Sequence, residues 1–449
     1  MPRLTSALRR AGILDWESPR TLWRMARVLG GQSFGPGALC ALAAARYPDQ
    51  LAIVDECGAL SYAELQSRVQ RLGASLRARH GIGPGRALGV LCRNHRGFVE
   101  ALLAGSTLGA DVVLLNTEFS APQLSRVLAD YRLGCIVVDD ELAPVVEKTA
   151  HAAPRVVADS PDGSIEALIA SAKSAALPSR RRRGRVVLLT SGTTGAPKGA
   201  ARVPKFGALA GPLTTLLSEL PLRARDRLFV APPLFHGFGL TYLALALFLG
   251  ATLVLRRRFD PAELVSDVAR HRVDVVIAVP TMLRRVLELP PTTRSRVDLS
   301  RVKAWISSGS ALGSELGTRF MQAHGPLLYN VYGSSETGFG ALATPQDLQA
   351  APGTVGHPPL GTELRILGAD GHDVASGAVG RLFVRSGLVF SGYEGGGNKE
   401  VIDGFMSTGD MAHVDANGRL FIDGRSDDMI VSGGENVFPQ EVEEMLSRH

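Results

Sequence analysis

Residues 190–199, with the sequence TSGTTGAPKG, combine four hydroxyl side chains, three glycines and one lysine directly after the apolar run VVLL. Hydroxyl groups donate hydrogen bonds to phosphate oxygens, glycines let backbone N–H groups come close to them, and lysine adds a positive charge. The apolar run predicts a strand, so the segment lies at the carboxyl end of a sheet, where open α/β folds bind ligands. We therefore predict a polyphosphate site made of Thr190, Ser191, Gly192, Thr193, Thr194, Gly195 and Lys198.

The segment is not a Walker loop, because that motif places Gly-Lys-Ser/Thr at the start of a helix. Here Pro197 precedes the lysine and Gly199 follows it. A flexible surface loop is the alternative interpretation. Such loops rarely follow a buried strand with a lysine placed in this way, so the segment indicates phosphate binding of another type.

Five other motifs follow one another along the chain: PLFHGFG (233–239), SSGSALGSEL (307–316), YNVYGSSETG (329–338), STGD (407–410) and GRSDDMIVSGGENVFPQEVE (424–443). Together with residues 190–199 they resemble, in order and content, the AMP-forming adenylating (ANL) superfamily. Within it they resemble the acyl-CoA synthetase or fatty-acid–CoA ligase branch. TSGTTGAPKG and YNVYGSSETG are specific matches, whereas SSGSALGSEL alone is weak.

The resemblance implies a nucleotide site. Tyr332 would stack on adenine beside Gly333. The small residues Gly309, Ser310 and Ala311 would let the purine lie against the backbone.

The same resemblance places the charged groups of the site. Ser335 keeps a hydroxyl where the superfamily more usually has threonine, and Glu336 would hold a Mg²⁺ ion shared with the phosphates. Asp410 would accept hydrogen bonds from both ribose hydroxyls, and Arg425 would reach the ribose or the α-phosphate. The implied catalytic residues are Thr190, Lys198, His236 and Glu336.

PLFHGFG resembles the segment whose aromatic residue closes the acyl pocket of the superfamily. The implied lining is His236, Phe238, Val279, Met282, Gly333, Phe339 and Gly340. This lining is apolar and offers no acidic residue to hold a substrate amine, which argues against an amino-acid-activating domain. It favours a fatty or aryl acid, and the glycines with the basic N-terminal segment favour a medium- or long-chain fatty acid.

The resemblance implies a reaction in two steps. Attack of the acid's carboxylate on the α-phosphorus of ATP gives acyl-AMP and pyrophosphate. A domain rotation at Asp427 would then let the CoA thiolate attack the acyl-adenylate, with Gly433 and Gly434 lining the pantetheine tunnel. The prediction is an acid–thiol ligase that uses ATP, Mg²⁺ and CoA.

Members of the superfamily normally continue through a small C-terminal domain with a lysine that stabilises the forming acyl-adenylate. Nothing follows His449 in this sequence, so we expect either a fragment or a chain whose adenylate formation is impaired. Three alternatives stay open. They are an aryl-CoA ligase, a fatty-acyl-AMP ligase that passes its product to a carrier protein, and a nucleotide- or acyl-binding protein without turnover.

The elements that must position these residues follow from the hydrophobic pattern. From about residue 48, short apolar runs alternate with helical stretches, which predicts parallel sheets covered on both faces. After about residue 353, short strands with glycine and proline turns predict a small antiparallel barrel or sheet. The predicted fold class is α/β. A large N-terminal domain has two parallel-sheet α/β subdomains and a small β-barrel-like subdomain, and the truncated start of a small α+β C-terminal domain follows.

We predict three regions along the chain. Residues 1–47 form a basic amphipathic extension, and residues 48–424 form the adenylate-forming domain, with α/β subdomains to about 350 and a β-rich subdomain from about 353. Residues 425–449 form the hinge and the first elements of an incomplete C-terminal domain. The uncharged run 237–255 is nearly long enough to cross a membrane, but Gly250 divides it into a predicted buried helix and a strand.

The N-terminal extension contains a basic amphipathic helix. Ser18 and Pro19 are typical of a helix start, and Leu22, Met25 and Leu29 follow at helical spacing with arginines between them. Such a helix either lies on a membrane or packs on the main body of the protein. The sequence leaves both open.

The composition excludes several classes of protein. The 449 residues are 45% hydrophobic and 20% charged, which is typical of a globular protein. The net charge of +6 suits an acidic ligand such as a nucleotide, or an anionic membrane surface. The sequence shows no zinc-ligand pattern or aromatic-studded basic stripe, so we predict no nucleic-acid binding. The four cysteines form no CxxC pair, and the N-terminal residues lack the apolar region of a signal peptide. Both features predict a cytoplasmic protein, free or peripheral to a membrane, with a homodimer as a further predicted assembly.

Overall fold

The computed structural model describes residues 2–15, 17–31, 35–149, 151, 153–159, 164–172, 184–191, 197–202, 206–294, 297–334, 337–388, 399–426, 430–432, 435–437 and 446. It begins with three helices: α1 (Pro2–Arg10), α2 (Pro19–Gly31) and α3 (Pro36–Arg46). The predicted start of α2 is present, because the Ser18 hydroxyl accepts a hydrogen bond from the Thr21 N–H at 3.2 Å. Helix α2 packs along α3.

The next part of the chain alternates strands and helices. Its elements are β1 (Leu51–Asp55), β2 (Gly58–Ser61), α4 (Tyr62–His80), β3 (Ala87–Leu91), α5 (Arg96–Thr107), β4 (Val112–Leu114), α6 (Ala121–Ala129), β5 (Leu133–Val138), a 3₁₀ turn (Asp140–Leu142), α7 (Ala143–Glu147), β6 (Arg155–Val157), α8 (Ser164–Ser171), β7 (Val186–Ser191) and β8 (Pro197–Arg202). Ser61 caps α4. Its hydroxyl accepts a hydrogen bond from the Glu64 N–H, and the Glu64 carboxylate accepts one from the Ser61 N–H. This capping box fixes where the helix begins.

The alternation continues in the following segment. Its elements are α9 (Phe206–Glu219), β9 (Arg227–Val230), α10 (Gly237–Leu249), β10 (Thr252–Val254), α11 (Pro261–Arg270), β11 (Val275–Ala278), α12 (Pro280–Leu287), α13 (Pro291–Arg294), β12 (Ala304–Ser307), α14 (Ser314–His324), β13 (Leu328–Ser334), β14 (Gly338–Ala343) and α15 (Pro345–Ala350).

The last described part of the chain is antiparallel. Its strands are β15 (Thr362–Leu367), β16 (Gly380–Ser386), β17 (Val401–Ile402), β18 (Phe405–Val414), β19 (Leu420–Arg425), β20 (Ile430–Ser432) and β21 (Glu435–Val437). Strands β20 and β21 pair as a hairpin. The pattern of residues 427–449 predicts one strand before Gly433 and Gly434 and a helix that begins at Pro439. The structure has a second strand after the two glycines, and the start of the predicted helix lies outside the described residues.

Two sheets of the described residues are predominantly parallel. One has the strand order β6-β5-β3-β4-β7-β8, and the other has the order β14-β13-β12-β11-β9-β10-β1-β2. The antiparallel pairs are β7–β8, β13–β14 and β1–β2. Inner strands such as β3 and β5 are buried along their whole length. They therefore appear in the sequence as continuous apolar runs.

Helices between the two sheets share one hydrophobic core with both of them. Leu88 of β3 and Leu228 of β9 belong to the same buried cluster as Leu72 of α4, Leu102 of α5 and Leu243 of α10. Burial of one such leucine stabilises the fold by about 1.5–3 kcal/mol. The cluster therefore fixes the two sheets relative to each other.

A third sheet is antiparallel, with the order β15-β16-β18-β17 and with β19 paired to β18. The predicted α/β architecture, with two parallel-sheet subdomains and a small β-rich subdomain, is confirmed. The domain boundaries given above stay predictions.

Helix α10 ends at Gly250, which adopts a left-handed φ of 60°. A Cβ atom at this position would lie 2.3 Å from Cδ2 of Tyr47, so both the backbone and the packing require glycine. The uncharged run is thus a helix followed by a strand, as predicted. Within the described part of the chain, no helix combines the length and the apolar character needed to cross a membrane.

Candidate active site

The predicted polyphosphate segment begins in β7. This strand runs parallel to β4 and pairs with β8 on its other side, which sets Thr190 opposite Lys198 in the strand register. A strand rather than a helix follows the turn, in agreement with the argument against a Walker loop. Lys198 and Ser191 belong to strands, whereas the sequence analysis placed them in a loop. The predicted phosphate-binding residues of the turn itself lie outside the described residues: Gly192, Thr193, Thr194 and Gly195.

Three of the predicted nucleotide-binding residues form one hydrogen-bonded chain. The phenol of Tyr332 in β13 donates to Oδ2 of Asp410 in β18. Nη1 of Arg425 in β19 donates to Oδ1 of the same carboxylate at 3.0 Å. These contacts join the eight-stranded sheet to the antiparallel sheet. The structure thus brings together the residues that the resemblance assigns to adenine and ribose.

The Tyr332 phenol keeps its proton at neutral pH. Burial raises the pKa of Tyr332 well above its usual value, and the negative charge of Asp410 raises this pKa further. The phenol therefore remains the donor to the carboxylate. A hydrogen bond to a charged group of this kind contributes about 1.5–3 kcal/mol.

The residue before Asp410 in β18 has a backbone conformation that favours glycine. Gly409 has a φ of 84°, and a Cβ atom there would lie 3.0 Å from Nη2 of Arg425. The Thr408 hydroxyl accepts a hydrogen bond from the Asp410 N–H at 3.0 Å. The ammonium of Lys399 donates to the Thr408 carbonyl at 2.6 Å. The motif STGD therefore forms an irregular part of β18 that holds the carboxylate beside the guanidinium.

The β13–β14 hairpin carries two glycines at positions where a side chain does not fit. A Cβ atom at Gly333 would lie 2.1 Å from the carbonyl oxygen of Gly338, and one at Gly340 would lie 2.8 Å from Cδ1 of Tyr332. The tyrosine ring thus packs directly against the Gly340 backbone. Ser335 and Glu336, between the two strands in sequence, lie outside the described residues.

The turn of small residues follows β12. Gly309 has a φ of 95°, and a Cβ atom there would lie 3.4 Å from Cγ1 of Val279, which precedes α12. Ser310 and Ala311 are exposed. The predicted purine-side turn and the predicted acyl-site residue Val279 are therefore neighbours. Met282 packs against a hydrophobic cluster of the eight-stranded sheet.

His236 caps the N-terminus of α10 with an extended backbone. Its ring keeps access to solvent, and its centroid lies 4.6 Å from that of the buried Phe235 ring. The part of the ring that packs against the protein is desolvated, and this desolvation lowers the pKa of His236. The imidazole is therefore neutral at pH 7 and above.

Two predicted acyl-site aromatics, Phe238 and Phe339, pack against the same hydrophobic cluster. Phe238 stands edge-on to Tyr242, with ring centroids 5.3 Å apart and planes at 88°. Tyr242 is 2% exposed, yet its hydroxyl has no hydrogen-bond partner in the described structure. A buried unpaired hydroxyl costs about 1–3 kcal/mol. The sequence analysis missed Tyr242, although it stands one helical turn after Phe238.

Asn94 is a second residue that the sequence analysis missed. It follows β3 and is buried. Its Nδ2 donates to the carbonyl of Pro232 at 2.8 Å, and its Oδ1 accepts from the N–H of Leu234 at 2.8 Å. Asn94 thus holds, from the six-stranded sheet, the segment that leads to His236. The signal in the sequence was a polar residue shortly after an apolar strand.

One cluster in the described part of the chain has the residue types of a metal site. Cys92, His95 and Asp139 are buried, with ligand atoms within 4.8 Å of one another. Nε2 of His95 contacts Asp139 at 2.8 Å, and its Nδ1 accepts from the Gly97 N–H at 3.1 Å. Burial raises the pKa of the Cys92 thiol well above its usual value. The cluster therefore makes internal hydrogen bonds and does not match Mg²⁺, which prefers oxygen ligands.

The predicted hinge and tunnel residues, Asp427, Gly433 and Gly434, lie outside the described residues. Strands β20 and β21 flank the two glycines in sequence. Their assignment stays a prediction from the resemblance.

The sequence pattern of the AMP-binding enzyme family matches residues 40–394. The chain belongs to this family, and the predicted membership of the adenylating superfamily is confirmed. The prediction of an enzyme is confirmed at the level of an AMP-forming acid–CoA ligase.

Two relatives and one solved structure illustrate this membership. Feruloyl-CoA synthase of an Amycolatopsis species is 35% identical over 393 residues, which cover 86% of this chain and 78% of that protein. Indoleacetate–CoA ligase of Aromatoleum aromaticum is 34% identical over 402 residues, with the same coverage of 86% and 78%. The crystal structure of the anthranilate CoA ligase AuaEII in complex with anthranoyl-AMP has a TM-score of 0.83 at 25% identity. The match covers 93% of this chain and 82% of that one.

Replacing Asn94 by alanine should destabilise the junction between the two parallel sheets. We expect the free energy of unfolding to fall by about 1–3 kcal/mol, because backbone groups of Pro232 and Leu234 lose their partner. Amide hydrogen exchange over residues 232–240 should accelerate. Asn116→Ala is the matched control, since Asn116 also follows a strand of this sheet but bonds only locally, to the Glu118 N–H. Unchanged exchange in Asn94→Ala would contradict the assigned role.

Proposed function

We propose that this ligase activates an aryl carboxylic acid with ATP and transfers the acyl group to CoA. The observation that carries the proposal is the chain of Tyr332, Asp410 and Arg425. A ring beside a paired carboxylate suits adenosine, whose ribose offers two hydroxyl donors. The names of the relatives support an aryl acid over the medium- or long-chain fatty acid that the sequence analysis favoured.

In the first step a carboxylate oxygen of the acid attacks the α-phosphorus of ATP, and the bond to pyrophosphate breaks. The protein contributes positioning and charge neutralisation. Thr190 and Lys198, which are register partners, supply a hydroxyl and an ammonium group to the phosphates. Arg425 supplies a guanidinium to the ribose or the α-phosphate.

The residue types of segment 334–337 suit a Mg²⁺ ion. Ser334 and Thr337, described on either side of Glu336, have hydroxyl oxygens 3.0 Å apart. In the sequence these two hydroxyl residues flank the carboxylate residue Glu336, and oxygen ligands are those that Mg²⁺ prefers. Glu336 is the proposed ligand. The ion, when bound, neutralises charge on the phosphates.

In the second step the CoA thiolate attacks the carbonyl carbon of the acyl-adenylate, and the bond to AMP breaks. His236 is neutral at pH 7, so its ring shields the reacting group without adding a charge. Rotation at Asp427 brings Gly433 and Gly434 to the pantetheine arm of CoA.

The structure around Tyr242 supports a substrate with a polar group on its ring. Phe238 and Phe339 give the acyl site aromatic walls, and Tyr242 stands edge-on to Phe238. The Tyr242 hydroxyl is buried and unpaired in the described structure. A hydroxyl, carbonyl or N–H group on the substrate ring supplies the missing partner. We infer that the acid carries such a group.

Binding of stable acyl-adenylate analogues tests the substrate class without turnover. We expect acyl-sulfamoyl-adenosines made from ferulate or indoleacetate to bind roughly tenfold more tightly than the palmitate analogue, a difference of about 1.4 kcal/mol. Calorimetry measures the affinities, and ATP–pyrophosphate exchange with the free acids should follow the same order. Tighter binding of the palmitate analogue would favour a fatty acid. Acyl-adenylate that accumulates in the presence of CoA would favour an acyl-AMP ligase.

Replacing Glu336 by glutamine should reduce pyrophosphate exchange at least about 100-fold, because the charge that holds the metal is lost. AMP binding should change less than about twofold, since AMP lacks the phosphates that share the ion. The unfolding midpoint should stay the same. Exchange at the rate of the parent chain would remove Glu336 from its proposed role.

Replacing Tyr242 by phenylalanine should separate hydroxylated from unsubstituted acids. We expect kcat/KM for 4-coumarate to fall roughly tenfold, as the loss of one hydrogen bond of about 1.4 kcal/mol predicts, and kcat/KM for cinnamate to stay unchanged. The variant should be at least as stable as the parent chain, because no internal partner is lost. Equal losses for both acids, or a clear loss of stability, would contradict the assignment.

A further inference from the structure

Helix α2 exposes large apolar side chains to solvent. Leu22 is 53% exposed, Trp23 is 63% exposed and Leu29 is 60% exposed, and Leu14 just before the helix is 48% exposed. These four residues lie within a short stretch of the chain. The other large apolar side chains that the described residues expose are scattered: Leu360, Val379, Val401 and Leu446. The outer side of α2 is therefore a distinct apolar surface.

The helical period shows that this surface is separate from the face that packs on α3. At 3.6 residues per turn, Leu22, Trp23 and Leu29 fall on one side of α2. Thr21, which is buried, and Val28, which is half-buried, fall together on a different side of the helix. The protein's own fold therefore uses one face of α2 and leaves the other without a partner in the described structure.

Arginines border the apolar surface. Arg20 and Arg27 are exposed, and the Arg27 guanidinium lies 5.7 Å from the centroid of the Trp23 ring. Helices α1 and α2 together contain six arginines and no acidic residue. The outer side of α2 thus combines leucine and tryptophan with positively charged arginines.

We propose that this face of α2 binds the surface of an anionic lipid bilayer. Leucine and tryptophan enter the boundary between headgroups and acyl chains, and arginines beside them meet anionic headgroups. A second copy of the chain is a poorer occupant, because a two-fold contact through this face would bring the same arginines together. The helix lies on the membrane and does not cross it, in agreement with the absence of a spanning helix among the described residues. The proposal is independent of the acid that the enzyme activates.

Vesicle flotation tests the proposal. The full chain is mixed with vesicles of phosphatidylcholine alone, or with about 30% phosphatidylglycerol added, at about 0.15 M salt. We expect roughly tenfold stronger binding to the anionic vesicles. In the variant Leu22→Ser/Trp23→Ser/Leu29→Ser this binding should be lost. Leu360→Ser is the control, since Leu360 is an exposed leucine elsewhere.

The arginines are tested by a second pair of variants. Arg20→Gln/Arg27→Gln should bind the anionic vesicles roughly tenfold more weakly. Arg77→Gln/Arg126→Gln removes the same charge from exposed positions on α4 and α6 and should bind as the parent chain does. AMP affinity and the unfolding midpoint should be unchanged in every variant, which shows that the fold is intact.

Two results would overturn the proposal. One is anionic-vesicle binding that is absent in the parent chain or retained in the triple serine variant. The other is a dimer in solution that the triple variant abolishes, because the face would then belong to a second copy of the chain. Gel filtration of both proteins over a range of concentrations gives the second result.

Discussion

The hydrogen bond from the Tyr332 phenol to the Asp410 carboxylate is the contact on which the candidate active site depends. Around it, Ala341 of the eight-stranded sheet and Leu382 of the antiparallel sheet share a buried cluster. Exclusion of water strengthens a hydrogen bond of this kind. Arg425 also pairs with this carboxylate, so the negative charge of the largely buried Asp410 is compensated by a positive one. The residues assigned to adenosine are therefore held in place before any nucleotide binds, which is the condition for electrostatic preorganisation.

Parallel strands explain why candidate site residues that are far apart in sequence occupy equivalent places in the fold. Asn94, Thr190 and Gly309 stand at or just beyond the ends of β3, β7 and β12, and each of these strands has parallel neighbours. The carboxyl ends of parallel strands meet at the same edge of a sheet, where α/β proteins bind ligands. Asn94 adds the link between the two sheets, because it fixes the segment before His236 from across the junction.

Much of the fold was predictable because strands that are buried on both faces of a sheet appear in the sequence as continuous apolar runs. Strands such as β5 and β11 appear as continuous apolar runs, and Gly250 marks the end of α10 through its backbone conformation. The glycine of the motif STGD has a similar explanation, since the positive φ at position 409 favours glycine. The contacts of Asn94 and the missing partner of Tyr242 depend on how distant elements pack. No local pattern records such packing. The strand at Lys198 was missed because Pro197 is typical of a turn, although proline is tolerated where a strand begins.

The outer face of α2 carries exposed apolar side chains that the folding of the chain does not explain. These leucine and tryptophan side chains are more than half exposed, so they gain only part of the stabilisation of about 1.5–3 kcal/mol that full burial of each would provide. A polar outer face would leave the packing of α2 on α3 unchanged. Helix α3 in turn packs on α10, the helix that begins beside His236 and carries Phe238. The proposed membrane surface and the proposed acyl site therefore belong to one continuous layer of helices. An acid that concentrates in the bilayer would therefore meet the enzyme at α2, the helix at one end of this layer.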